Sequence, residues 1–141
     1  MARRWKTHFL TWLIVLVLIG TGVVLYVPAL HWGLIGLVRR DRFFHGRPTS
    51  YWRFALNDQF SGNPDHELAQ GGKEAVPVLI ELLNGEGRTV RRRAAKVLGW
   101  IGPPARAAIP ALQEAMEEED FVLCINASQA LKRIAPEEDQ E

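Results

Sequence analysis

One cysteine, Cys124, stands in a chain of 141 residues, so no intrachain disulfide can hold the fold, and cysteine usage does not assign a compartment. The thiol reads as a small apolar core residue. The four histidines, at 8, 31, 45 and 66, include no pair at metal-ligand spacing. Glu117-Glu118-Glu119-Asp120 lacks both the spacing and the glycine of a calcium loop. It reads as a solvated turn whose charge favours the positive N-terminus of the following helix. There is no glycine-rich phosphate loop and no nucleophile with a nearby base, so the expectation is a protein that is not an enzyme, with no catalytic residues, no metal and no cofactor. The soluble part of the chain holds no polybasic run of the nucleic-acid kind, which argues against a nucleic-acid partner. Alternation of apolar residues with period two is missing from residues 73–136, and with it any case for a sheet there.

What the chain does contain is a repeat. Ala75-Val76-Pro77-Val78-Leu79-Ile80-Glu81-Leu82-Leu83 aligns without a gap with Ala108-Ile109-Pro110-Ala111-Leu112-Gln113-Glu114-Ala115-Met116, 33 residues on. The offset continues through Val90/Leu123, Ala94/Ala127, Leu98/Leu131, Ile101/Ile134 and Pro103/Pro136. A fixed period of this size marks stacked units, each covering its neighbour's apolar face. Each unit reads as two helices. Val76, Leu79, Ile80, Leu82 and Leu83 recur at spacings of three and four, with Pro77 in the first turn, where a missing N–H costs nothing. Asn84-Gly85-Glu86-Gly87 interrupts, and Val90, Ala94, Val97, Leu98 and Ile101 make a second stripe. Gly99 and Gly102 read as capping residues, with Pro103-Pro104 preventing continuation. In the next unit Leu123, Ala127, Ala130, Leu131 and Ile134 form the equivalent stripe.

These residues resemble the HEAT-repeat family, in its short bacterial branch named after phycocyanobilin lyases. The matching positions are Ala75-Val76-Pro77-x-Leu79-Ile80-x-Leu82-Leu83 and Val90-Arg91-x-x-Ala94-Ala95-x-x-Leu98-Gly99-x-Ile101-Gly102-Pro103. Ala108-Ile109-Pro110-x-Leu112 and Ala127-x-x-Ala130-Leu131-x-x-Ile134 match again, so the resemblance covers roughly residues 68–136. Ankyrin shares the period, but its Thr-Pro-Leu-His signature is missing, as is the tetratricopeptide pattern. The resemblance implies an all-α fold, a short α-solenoid of two complete repeats (73–105 and 106–136). It implies binding of a protein partner, and it assigns Arg91, which follows a buried valine, to tying adjacent repeats; the second repeat has Cys124 there. The alternative that the family carries is an enzyme of lyase or oxidoreductase type. Two repeats are too few to enclose a chromophore, and Asp65-His66-Glu67 supplies too few ligands for the di-iron site of HEAT-like hydroxylases.

Ahead of the repeats, Phe9 to Val27 is 19 residues without a charge, about 28 Å as a helix at ~1.5 Å per residue, near the ~30 Å of a hydrocarbon core. Trp12 and Tyr26 lie near its ends, as interfacial rings do. A cleavable signal peptide is the rival, with Arg3, Arg4 and Lys6 as its basic region, but the run exceeds the ~7–15 apolar residues usual there. The expectation is therefore a single-pass protein in contact with the bilayer through residues 9–27. Basic residues flank both ends (Arg3, Arg4, Lys6; Arg39, Arg40, Arg42, Arg47), so the positive-inside rule decides little. The short basic tail favours an extracytoplasmic C-terminal domain. Residues 1–71 carry eight basic and four acidic side chains, against nine and twelve in residues 72–141, which places the basic half beside the lipid.

The expected organisation is then a tail, anchor and juxtamembrane segment over 1–41 and an aromatic lead-in with degenerate capping helices over 42–72. The two repeats fill 73–136, and 137–141 is an acidic tail. Within the lead-in, Ser50 is the expected cap of a helix carrying Trp52, Ala55, Leu56 and Phe60, and Asn63 the cap of the next. Arg92, Arg93, Lys96 and Trp100 fall off the buried stripe of their helix, and Arg133 stands one repeat after Trp100. Second helices line the concave side of such arrays, so these five are the candidate partner-binding residues, suited to an acidic protein surface. Solvation of a basic face is the plainer alternative.

Overall fold

The computed structural model describes residues 28–57 and 62–136; the expected membrane span at 9–27, Phe60 and the acidic tail lie outside the described residues. Among the described residues seven α-helices follow one another: α1 (Pro28–Arg39), α2 (Thr49–Asn57), α3 (Pro64–Gln70), α4 (Val76–Leu83), α5 (Arg88–Ile101), α6 (Ile109–Met116) and α7 (Phe121–Ile134). Short 3-10 turns at Gly72–Glu74 and Pro103–Ala108 lead into α4 and α6, and a two-residue antiparallel hairpin, β1 (Phe43–Phe44) with β2 (Arg47–Pro48), precedes α2. The chain is predominantly helical, as its period demands. Among the described residues no helix is long and apolar enough to cross a membrane.

The helices pair as α2/α3, α4/α5 and α6/α7, and the pairs stack. First helices meet first helices (α2 with α4, α4 with α6), and second helices meet second helices (α3 with α5, α5 with α7). The repeat dictates this order, because each pair leaves one apolar face that only the next pair can cover. A single continuous core results, running from Trp52 and Leu56 through Leu68, Leu79, Leu82 and Leu98 to Leu112, Leu123 and Ile134. Val78, off the expected stripe, is fully buried as well, since α4 is covered from both the α2 and the α6 side. Ile80, Ile101 and Leu131 are only partly buried at the margin of the core.

Punctuation by proline and glycine acts as the sequence suggests, with one correction. Pro77 and Pro110 sit in the first turns of α4 and α6. Gly102 ends α5 at φ 71°, a left-handed value that costs glycine least. Gly99 does not cap: it lies inside α5, and a Cβ there would stand 3.0 Å from Ala130 Cα. Its role is to let α5 and α7 approach.

The lead-in is more built than the sequence indicates. Helix α2 starts at Thr49, and its cap is Asp41, whose Oδ2 accepts the Ser50 N–H at 2.8 Å; Ser50 is therefore not the capping side chain. Asn63 precedes α3 without a side-chain capping bond. Glu81 of α4 fastens the segment, its Oε2 accepting from Thr49 Oγ1 (2.8 Å) and the Arg42 N–H (3.2 Å). Phe44 is buried against Trp52, while Phe43 is exposed. Helix α1, expected as a juxtamembrane stretch, packs on α2 and β2.

Candidate partner-binding surface

Helices α5 and α7 run beside each other as the second helices of the two repeats, and their closest approach, at Gly99 and Ala130, sets what stands above it. One turn from Gly99 is Lys96, and next to it is Trp100; one turn from Ala130 are Asn126 and Arg133. These residues and Gln129 line a shallow recess of about 130 Å³. Lys96 Nζ lies 4.7 Å from the centre of the Trp100 ring, a cation–π contact that holds the indole while leaving 45% of the residue exposed. Trp100 and Arg133 occupy equivalent positions of the two repeats, as do Lys96 and Gln129, so the period itself brings them together. The lining carries cations and amides but no acid.

Of the five candidate residues, Lys96, Trp100 and Arg133 are thus gathered in one place. Arg92 and Arg93 are not, and the reason is that their charges are used inside the stack. Arg92 pairs with Asp120 at the head of α7 (Nη2–Oδ1 2.8 Å), and its carbonyl accepts from Asn126 Nδ2 at 3.0 Å. Arg93 grips Asp65 of α3 through two guanidinium nitrogens (Nε–Oδ1 and Nη2–Oδ2, 2.9 Å each) and donates to the Leu56 carbonyl of α2. Arg91 completes the row: it donates to the Leu83 carbonyl at 2.7 Å and forms a two-pronged pair with Glu118 of the next repeat. The repeat-tying role expected of Arg91 is therefore present, and three consecutive arginines fasten α5 to α3, to α4 and to the turn before α7.

The acidic turn follows from this. Hydrogen bonds from Arg91 hold the Glu118 carboxyl below its usual range and raise the guanidinium's own pKa. Bonds from Arg92 do the same to Asp120, helped by the Leu123 N–H that Asp120 caps. Glu118 and Asp120 are structural partners, which their run of like charges does not disclose. Among the described residues no group of three or more His, Cys, Asp or Glu side chains is placed to hold a metal. Around His66, Asp65 faces Arg93 and Glu67 faces Arg47 at 3.0 Å. Cys124 is half-buried and unbonded to sulfur.

A recess of ~130 Å³ is well under the ~300–1,000 Å³ of small-molecule sites, and it suits one inserted side chain. The family model for HEAT repeats matches residues 66–139. No curated protein matches the sequence.

Proposed function

The chain belongs to the family of HEAT repeats, whose members typically mediate protein–protein interaction, and from that premise we propose a membrane-anchored interaction module built as a short α-solenoid. Residues 9–27 supply the anchor, in a single pass, with the repeat domain on the extracytoplasmic side. The supports for this part are the uncharged length of the run and the short basic tail before it. The resemblance to the lyase-named bacterial branch extends to the residues of the repeats and not to its chemistry.

The single observation that carries the binding role is the exposed indole of Trp100 between Lys96 and Arg133. Tryptophan and arginine dominate interface hot spots, where truncation costs ~2 kcal/mol or more. The partner presents an acidic, partly apolar surface, and its binding weakens with salt. Affinity capture from solubilised membranes with the parent chain and Trp100→Ala tests this. The proposal expects the partner to be lost from Trp100→Ala while the melting temperature stays within a degree or two. Retention with a lowered melting temperature would make the indole a structural residue. Alkaline carbonate extraction tests the anchor: release of the full chain from membranes would contradict it.

A further inference from the structure

A second concavity lies at the other end of the molecule, where α1 crosses α2. Trp32, Ile35 and Arg39 recur at three- and four-residue spacing along one face of α1, and Ser50, Arg53, Phe54 and Asn57 do the same along α2. Between them is a groove of about 500 Å³, closed at one side by Glu86, Gly87 and Val90. Its lining is partly aromatic, with the Trp32 and Phe54 rings 5.7 Å apart.

Two buried donors in this groove have no protein partner among the described residues. Ser50 is only 8% exposed, and while its backbone N–H donates to Asp41, its hydroxyl has no hydrogen-bond partner among the described residues. Arg53 Nε is likewise buried and unpartnered. Neither Arg53 nor Arg39 forms an ion pair among the described residues, whereas Arg91, Arg92 and Arg93 all do. A buried donor left unmade is costly, and each such group in a native fold calls for a missing acceptor. A compact anion rich in lone pairs suits this place better than water alone, since it can accept from the buried Ser50 hydroxyl and Arg53 Nε–H and also answer the charge of the exposed Arg39 guanidinium. A phosphate oxyanion has that chemistry. Glu86 on the rim disfavours a free multivalent anion, while the aromatic and aliphatic wall favours one carried on an apolar chain.

We propose that the groove between α1 and α2 binds the headgroup of an anionic phospholipid, with Arg53, Arg39 and Ser50 as donors to the phosphate and Trp32, Ile35 and Phe54 against its glycerol and upper chain. Helix α1 begins at Pro28, directly after the uncharged run, and is about 18 Å long at ~1.5 Å per residue, so the groove lies within reach of the bilayer surface. The choice of a lipid rests on the membrane reading; carbonate extraction tests that reading separately, without reference to the groove.

The full chain in a neutral detergent is titrated, under native mass spectrometry, with short-chain phosphatidylglycerol, with phosphatidylcholine of equal chain length and with inorganic phosphate. One saturable phosphatidylglycerol adduct is expected, weakened about tenfold by Arg53→Gln and by Arg39→Gln, because each removes a charge-assisted contact to phosphate. Arg39 is exposed on α1, so Arg39→Gln reports on the site even where Arg53→Gln perturbs folding. Ser50→Ala weakens the adduct while leaving the melting temperature unchanged or raised, since it removes an unsatisfied hydroxyl. Adducts equal for the two lipids, adducts indifferent to both arginine substitutions, or inorganic phosphate bound as tightly as phosphatidylglycerol would each overturn the assignment.

Discussion

Arg93→Leu removes a side chain whose hydrogen bonds join both capping helices to the first complete repeat. In the parent, Arg93 and Asp65 are largely buried (24% and 15% exposed side chains) and share two parallel bonds, while a third runs to the Leu56 carbonyl. The substitution strands a carboxylate in a poorly hydrated position and leaves a carbonyl without its donor. Bonds to charged groups are worth ~1.5–3 kcal/mol each, and water reaching the margin of the pair offsets part of the loss. A net destabilisation of about 2–4 kcal/mol follows, out of a total of ~5–15 kcal/mol for a domain of this kind. Urea unfolding of a chain beginning at residue 28 measures it through the midpoint. The slope carries a second reading: if the cap detaches before the repeats unfold, the surface exposed in the main transition shrinks and the slope falls with it. A double-mutant cycle with Asp65→Asn should give a coupling of about 1–3 kcal/mol. A midpoint shift worth less than ~0.5 kcal/mol, with no coupling, would refute the claim that α2 and α3 are fastened through this residue.

Three further outcomes follow from the packing. Leu56→Ala, at a fully buried position, should cost about 2–5 kcal/mol in the same assay, and an unchanged midpoint would mean α2 does not pack on the repeats. Gly99→Ala pushes a methyl to 3.0 Å from the Ala130 backbone, so α5 and α7 must separate; a loss of about 1–3 kcal/mol is expected, and a gain in stability would show the approach to be looser than described. Glu118 and Asp120 have native pKa values below their ordinary ones, so what they contribute is complete above pH ~5 and is lost as pH falls through the ordinary and then the lower native values. Asp120→Asn should therefore flatten the acid limb of stability against pH below ~4, and an unaltered limb would dissociate the acid sensitivity from this turn.

The helix pairs were legible because local chemistry and period agree: proline in first turns and apolar residues at helical spacing recur at one offset, and Gly102 ends α5. Lys96, Trp100 and Arg133 were legible as neighbours for the same reason, since equivalent positions of stacked repeats stand side by side. Arg92 and Arg93 were not legible as internal clasps. Their partners, Asp120 and Asp65, lie 28 residues away in opposite directions, and a basic run carries no sign of which acids fold back on it. Asp41 as the cap of α2 was hidden similarly, because it reaches Ser50 only after the intervening hairpin has turned the chain. Helix α1 was obscured by composition: an apolar stretch after a candidate span reads as juxtamembrane whether or not it docks. Its groove with α2 depends on that docking, and nothing in the spacing of Ser50 or Arg53 announces it.

The central claim is that the α5/α7 face, centred on Trp100, receives a protein partner. A photoreactive amino acid placed at Gln129, exposed on the rim of the recess, tests it in the full chain in cells, with the same probe at Gln113 on α6 as the control. A discrete protein adduct is expected from position 129, absent when Trp100→Ala is combined with the probe, and none from position 113. An adduct from position 113 alone, or one from position 129 that survives the loss of Trp100, would contradict it.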